Sequence, residues 1–268
     1  MRAVPRSANT ANRRPRDAHE VAVESDGRAE LIQRSRFMPT ASEPIASTVS
    51  RRAAVAELVF VALLAASDFF SPTRLVLLLL VASASLWNRH LGWSHVGLRR
   101  PPRVGRTLAI AIVGAVVILG AVPTIIVPLS TWVSQRPVDL SALGNLRQST
   151  TMWMLLAQVW TLAAFGEEMA FRGYVMRRVM NIVGVTRPGL VVAVAISSVL
   201  FGLAHGYQGT AGMIATGLIG VLVALVYLCD RQNLWAAIIC HGVVDSVSLA
   251  LIYFGHESLL FPRGRLML

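Results

Sequence analysis

Lysine is absent from this 268-residue chain: all 25 of its basic residues are arginine. That usage fits a GC-rich coding sequence and points to a bacterial source. Charge of either sign is scarce. It amounts to 15% of residues, against roughly 25% in an ordinary soluble domain. Cysteine is limited to Cys229 and Cys240, both in or beside apolar stretches. Two such residues make neither a disulfide framework nor a CxxC metal knuckle, so buried thiols are expected. No apolar core follows the first charges, so no signal peptide is expected. Asp17, Glu20, Glu24, Asp26 and Glu30 are too many acids for an organelle transit peptide.

What is present is apolar sequence, 54% of the chain, under a net charge of +11. A strongly basic chain can bind nucleic acid. Here the arginines lie in tails and loops between apolar runs, which is how a membrane protein sets its orientation, so no nucleic-acid partner is expected. Residues 1–52 are rich in Arg, Ser, Ala and Pro without apolar periodicity and read as a disordered basic tail. Seven apolar segments follow, at about 53–70, 73–88, 106–128, 151–172, 189–206, 210–229 and 234–255. Each is near the ~20 residues a spanning helix needs. The first two meet tightly at Ser71-Pro72, as a helical hairpin would.

The expected fold is therefore all-α: a polytopic transmembrane bundle over 53–255, with a short tail at 256–268 and the lipid bilayer as its solvent. Three stretches are strongly basic: the 1–52 tail, the loop holding Arg89, Arg99, Arg100, Arg103 and Arg106, and the run Arg172, Arg177, Arg178, Arg187. The positive-inside rule puts all three in the cytoplasm. Seven spans then leave the amino terminus inside and the carboxy terminus outside, with Arg263 and Arg265 in mild disagreement. The expected location is the cell membrane.

An ionisable group inside a span costs about 2.5–3.5 kcal/mol on insertion scales and marks a candidate site. Three clusters qualify. Glu167-Glu168-Met169-Ala170-Phe171-Arg172 closes the fourth segment. Adjacent helical residues point about 100° apart, so the two carboxylates face different ways. Glu168 and Arg172, four apart and acid first, share a face and should pair. Glu167 is then left without a partner, as suits a general base. The bland alternative is an interfacial charge cluster at a helix end. The second cluster is Phe201-Gly202-Leu203-Ala204-His205 in the fifth segment; a single His there is more often structural than catalytic. The third is His241-Gly242-Val243-Val244-Asp245 in the seventh, where spacing puts the acid one turn from the imidazole. Such an acid orients the ring or fixes its tautomer.

Together these residues suit water activation for hydrolysis. Glu167 with His205 could deprotonate a water, and His241 could donate to the oxyanion of a tetrahedral intermediate. Alternatively Glu167, His205 and His241 could hold zinc, with water as the fourth ligand. There is no HExxH helix, no GxSxG elbow and no pair of membrane aspartates. A proton-relaying transporter would use similar residues, but would want repeat symmetry, and none is visible. A non-catalytic membrane scaffold or immunity-type protein is the other alternative.

EEMAFR, FGLAH and HGVVD, in this order on separate spans, resemble the EExxxR, FxxxH and HxxxN/D motifs of the CPBP family. Its members are CAAX-processing and bacteriocin-processing (Abi) membrane endopeptidases. The resemblance covers roughly 150–250, with Gly97-Leu98-Arg99-Arg100 as a similar lead-in. It implies a multi-pass endopeptidase acting on prenylated or other membrane-associated peptides. Glu167 would be the catalytic glutamate, Glu168 and Arg172 its supporting pair, and His205, His241 and Asp245 the rest of the site. The family is labelled metalloprotease, and a metal-free glutamate mechanism is also argued for it. Asp245 departs from the asparagine of the prenyl-protein branch. An amide donates hydrogen bonds and an ionised carboxylate does not; this favours the broad bacterial branch, where prenylated substrates are not expected.

The three motifs must also meet in depth. Were the fourth helix to stop at Arg172, Glu167 would lie about 8 Å from its end while His205 lay about 25 Å beyond Pro188, at 1.5 Å per residue. Running on to about Asn181 puts Glu167 about 21 Å in, level with His205. A long fourth helix is therefore expected, with Arg177 and Arg178 outside the hydrocarbon. His241 lies only about 10 Å into its helix, so the loop Asp230–Asn233 must sit below the level where the fourth and fifth helices begin.

Overall fold

The computed structural model describes residues 51–67, 71–141 and 149–261, all within one compact unit of the chain. The expected disordered tail lies outside the described residues except for Arg51 and Arg52, which already belong to the first helix. The described part is helical throughout, in seven long helices. They are α1 (Arg51–Ala65), α2 (Ser71–Trp87), α3 (Val104–Ser134), α4 (149–183), α5 (Arg187–Leu203), α6 (Gly209–Cys229) and α7 (Leu234–Tyr253). Each coincides with one of the seven apolar segments. By length and composition α3, α6 with the turn before it, and α7 are sufficient to cross a membrane.

Boundaries follow local chemistry. Thr186 caps α5 by accepting the Gly189 N–H at 3.1 Å, and Asn233 caps α7 by accepting the Trp235 N–H at 3.0 Å. Both satisfy an N–H with no intrahelical partner. α3 extends past its expected end near residue 128 to Ser134 and carries Pro123 and Pro128 inside. Proline removes a ladder donor, and the ladder there widens into a π segment at Val122–Ile126.

α4 matters most for the site. It continues beyond Arg172 to Val183, as the depth argument requires. Its middle is not regular α-helix: two π segments, Val159–Glu167 and Met169–Val175, flank Glu168. Widened i→i+5 turns of this kind gather at functional sites. Beyond them the helix does not project freely. Met176, Arg178, Val179 and Met180 are buried against neighbouring helices.

The loops alternate between two ends of the bundle. At one end, Arg99 donates to the Arg231 carbonyl (2.9 Å), Arg106 to the Cys229 carbonyl (2.9 Å) and the Leu234 N–H to the Gly97 carbonyl (3.0 Å). The basic loop therefore docks on the α6–α7 turn. Gly97 permits this approach: its φ is 109°, and a Cβ would lie 2.6 Å from the Gln232 carbonyl oxygen. At the other end the Asp139 N–H donates to the Gln208 carbonyl at 3.0 Å. Cys240 is buried as expected, but Cys229, beside the docked turn, is exposed.

Outward faces carry apolar side chains such as Leu108, Ile112, Val116 and Val117 on α3 and Val191 and Val199 on α5. An apolar exterior, with the few ionisable groups kept inside, is what a lipid solvent selects. Inside, α5 and α6 cross with their backbones nearly touching. A Cβ on Gly202 would lie 2.5 Å from the Met213 carbonyl oxygen and 3.2 Å from Gly217 Cα. Small residues let membrane helices approach this closely. Gly202→Ala is expected to push the helices apart and to cost about 1–3 kcal/mol, the usual range for overpacking. A lower midpoint of thermal unfolding in detergent checks this; an unchanged midpoint contradicts the close crossing.

Candidate active site

The EExxxR motif lies in the π-widened middle of α4, and its side chains divide between two neighbours. Glu168 and Arg172 turn toward α6 and α7 and are almost wholly enclosed, at 0% and 1% exposure. Arg172 Nη1 donates to Glu168 Oε1 at 2.8 Å. Its Nη2 donates to the Gly220 carbonyl of α6 at 3.0 Å, and its guanidinium lies 4.3 Å from the Phe201 ring centre. The i,i+4 pair expected from spacing is present and is clamped on three sides.

His241 comes to this pair from α7. Its Nδ1 is 2.7 Å from Glu168 Oε1 and its Nε2 is 3.3 Å from Asp245 Oδ2. The expected Asp245–His241 contact along one helix face is formed, while the Glu168–His241 contact could not be read from spacing. A carboxylate accepts and does not donate, so an imidazolium lying between Glu168 and Asp245 satisfies both contacts. Asp245 is at the rim, its side chain 34% exposed.

Glu167 turns the other way, toward α1, α2 and the end of α5. His205 is not within the fifth helix as expected; α5 ends at Leu203, and His205 begins the turn to α6. The early end lets the ring fold back, with Nδ1 2.8 Å from the Phe201 carbonyl. A carbonyl only accepts, so the network assigns the proton to Nδ1 and leaves the Nε2 lone pair facing Glu167. Nε2 and Glu167 Oε2 are 4.0 Å apart. Glu167 Oε2 is buried without a hydrogen-bond partner in the described structure. Phe201 separates the two halves of the site, its ring centre 4.8 Å from that of His205 and 6.0 Å from that of His241. Ser197 holds the Phe171 carbonyl at 3.0 Å, joining α5 to the motif on α4.

Glu167 and His205 open into a cavity of about 30 Å³. A water needs about 10–15 Å³ on this measure. The rest of the lining is Arg74 with apolar side chains of α1, α2 and α4, among them Val61, Leu75 and Phe171.

A zinc ion would need lone pairs from Glu167, His205 and His241 aimed at one point. Both His241 nitrogens face carboxylates, so neither offers a lone pair toward Glu167 and His205. Among the described residues no three His, Cys, Asp or Glu side chains converge as metal ligands. Glu167, His205 and His241 in this arrangement do not fit a zinc site.

Two polar elements carry no motif in the sequence. Glu57 of α1 accepts from the Tyr174 hydroxyl at 2.7 Å, Arg89 at 2.6 Å and the Ser85 hydroxyl at 2.9 Å, and forms an ion pair with Arg178, whose Nε is 2.7 Å away. This cluster ties α1 and α2 to α4 two to three turns beyond Glu167. Arg74 of α2 is the second. Charge inside an apolar segment was the signal for both, and neither has a sequence-local partner to give it weight.

Residues 148–247 match the family model described as type II CAAX prenyl endopeptidase, Rce1-like. No curated protein and no solved structure matches the chain. The matched region contains all six motif residues and bears out the CPBP/CAAX-protease resemblance. At family level it supports a CAAX-protease-type membrane endopeptidase.

Proposed function

We propose that this chain is an intramembrane endopeptidase that hydrolyses peptide bonds of membrane-associated substrates, using a water activated between Glu167 and His205. The observation carrying this is the partnerless Glu167 Oε2, buried 4.0 Å from His205 Nε2 in a cavity of water-holding size. Two acceptors at this separation suit one water that donates a hydrogen to each. Polarised toward both, the water attacks a carbonyl placed in the cavity and yields its proton as the new bond forms. Glu168, Arg172 and His241 form a fixed charged floor beside the reacting pair, and Asp245 keeps the His241 ring oriented.

The donor geometry favours a metal-free reaction. The Asp at 245 favours unprenylated membrane peptides as substrates, and arginine placement favours a cytoplasmic amino terminus in the cell membrane.

The test uses purified protein in lipid nanodiscs and two quenched fluorogenic peptides. One carries an S-prenylated cysteine three residues before an apolar carboxy terminus; the other is an unmodified apolar membrane peptide. Cleavage in oxygen-18 water should place the label in the new carboxylate. Persistence of both peptides intact, together with an unchanged profile of membrane peptides in a deletion strain, would sink the protease reading.

A further inference from the structure

Acyl hydrolysis needs a donor for the charge that grows on the scissile carbonyl oxygen, and such donors are the largest single contribution in most acyl transfers. The side chain expected to supply it is committed elsewhere: each nitrogen of His241 faces a carboxylate. Asp245 is an acceptor when ionised. A further donor in the same cavity would supply what His241 and Asp245 do not.

Among the described lining residues, Arg74 is, apart from His205, the one whose side chain carries N–H groups. Its placement is unusual. It stands in the first turn of α2, where a positive charge opposes the helix dipole, and it lies within an apolar segment. Three carbonyls fix it. Nη1 donates to Ala65 at 3.3 Å and Ser67 at 2.8 Å, and Nη2 donates to Ala204 at 3.0 Å. Ala65 closes α1, Ser67 lies two residues beyond it, and Ala204 immediately precedes His205. A guanidinium has five N–H groups, so two remain beyond these three bonds, on a side chain that lines the same cavity as Glu167 and His205. Donors fixed before the charge appears need no rearrangement when it does.

We propose that Arg74 is a catalytic residue whose guanidinium holds the oxyanion of the tetrahedral intermediate. The proposal rests on the hydrolase reading above. As water adds, its oxygen bonds to the carbonyl carbon and one proton passes to the Glu167–His205 pair. The carbonyl π electrons move to oxygen, where Arg74 N–H groups hold them without transferring a proton. Collapse restores the carbonyl, breaks the C–N bond and returns the proton to the leaving amine.

The experiment compares wild type, Arg74→Gln, Arg74→Lys and Glu167→Gln in nanodiscs. It measures cleavage of the peptide that wild type accepts, and binding of that peptide's phosphinic acid isostere, whose tetrahedral P–O⁻ stands for the oxyanion. For Arg74→Gln, kcat should fall about 10²–10³-fold with KM little changed, and phosphinate affinity should fall by a similar factor. Lysine should restore part of both.

Unchanged kcat in folded Arg74→Gln would overturn the proposal. So would a fall in kcat without weaker phosphinate binding, since that is a carbonyl clamp only. A rise in KM that disappears when the peptide's carboxy terminus is amidated would instead make Arg74 a receptor for substrate carboxylate. Should the glutamine variant fail to fold, the lysine variant decides. One ammonium cannot serve three carbonyls and the oxyanion, so its kcat and phosphinate affinity should fall together by about tenfold or more; wild-type values for both overturn the proposal. If wild type neither cleaves nor binds the phosphinate, the hydrolase reading itself has failed, irrespective of Arg74.

Discussion

Glu167→Gln is expected to lower kcat for peptide cleavage by about 10²–10⁴-fold, the usual contribution of a positioned general base. Glutamine keeps the shape of the side chain and removes its capacity to take a proton. Its amide also donates where the carboxylate accepts, so the water bridged toward His205 loses one of its two acceptors. Folding should be affected little. Glu167 Oε2 has no hydrogen-bond partner to lose among the described residues, and the change removes a charge from a buried place. The measurement is kcat and KM in nanodiscs beside the thermal unfolding midpoint in detergent. Reduced kcat at unchanged midpoint and near-constant KM is the expected pattern. Retained cleavage would remove Glu167 from the role of base and shift attention to His205 alone.

The other large effect is at Arg172. Arg172→Met is expected to destabilise the protein by up to about 3–5 kcal/mol, because breaking a buried ion pair leaves the surviving charge short of a partner. Here the survivor is Glu168, at 0% exposure. His241 is its only other described partner, on the same oxygen, and Glu168 Oε2 already has none. The double variant Glu168→Met/Arg172→Met is expected to recover much of the stability, since two apolar side chains of similar bulk need no partners. It should not recover activity. Without Glu168, His241 loses the 2.7 Å contact that orients its Nδ1. Unfolding midpoints and kcat for both variants check this. A double variant with wild-type kcat would show that the pair serves folding alone.

These outcomes separate what was legible in the chain from what was not. Glu168 and Arg172 were paired by spacing, because a helical i,i+4 contact is settled within a single turn. The same holds for His241 and Asp245. The length of α4 followed from a depth argument, which needs only the rise per residue. The π segments did not follow. Their widened ladder is held in part by other helices, as when Ser197 of α5 takes the Phe171 carbonyl. FGLAH, apolar up to its last residue, predicts His205 on a helix; the helix ends earlier, at Leu203, where the chain turns into α6.

By itself, then, the sequence determined the helical class, the apolar segments and their order, and the Glu168–Arg172 and His241–Asp245 pairs, each within one helical turn. Those depend on composition and on a repeat of 3.6 residues. The tertiary structure decided which pairs face one another across helices. His241 meets Glu168 over 73 positions and Arg74 meets Ala204 over 130, while Glu57 gathers Tyr174 over 117. No local rule spans such separations. They are set by how close packing of the bundle brings buried polar groups together, since each one must find its partner inside.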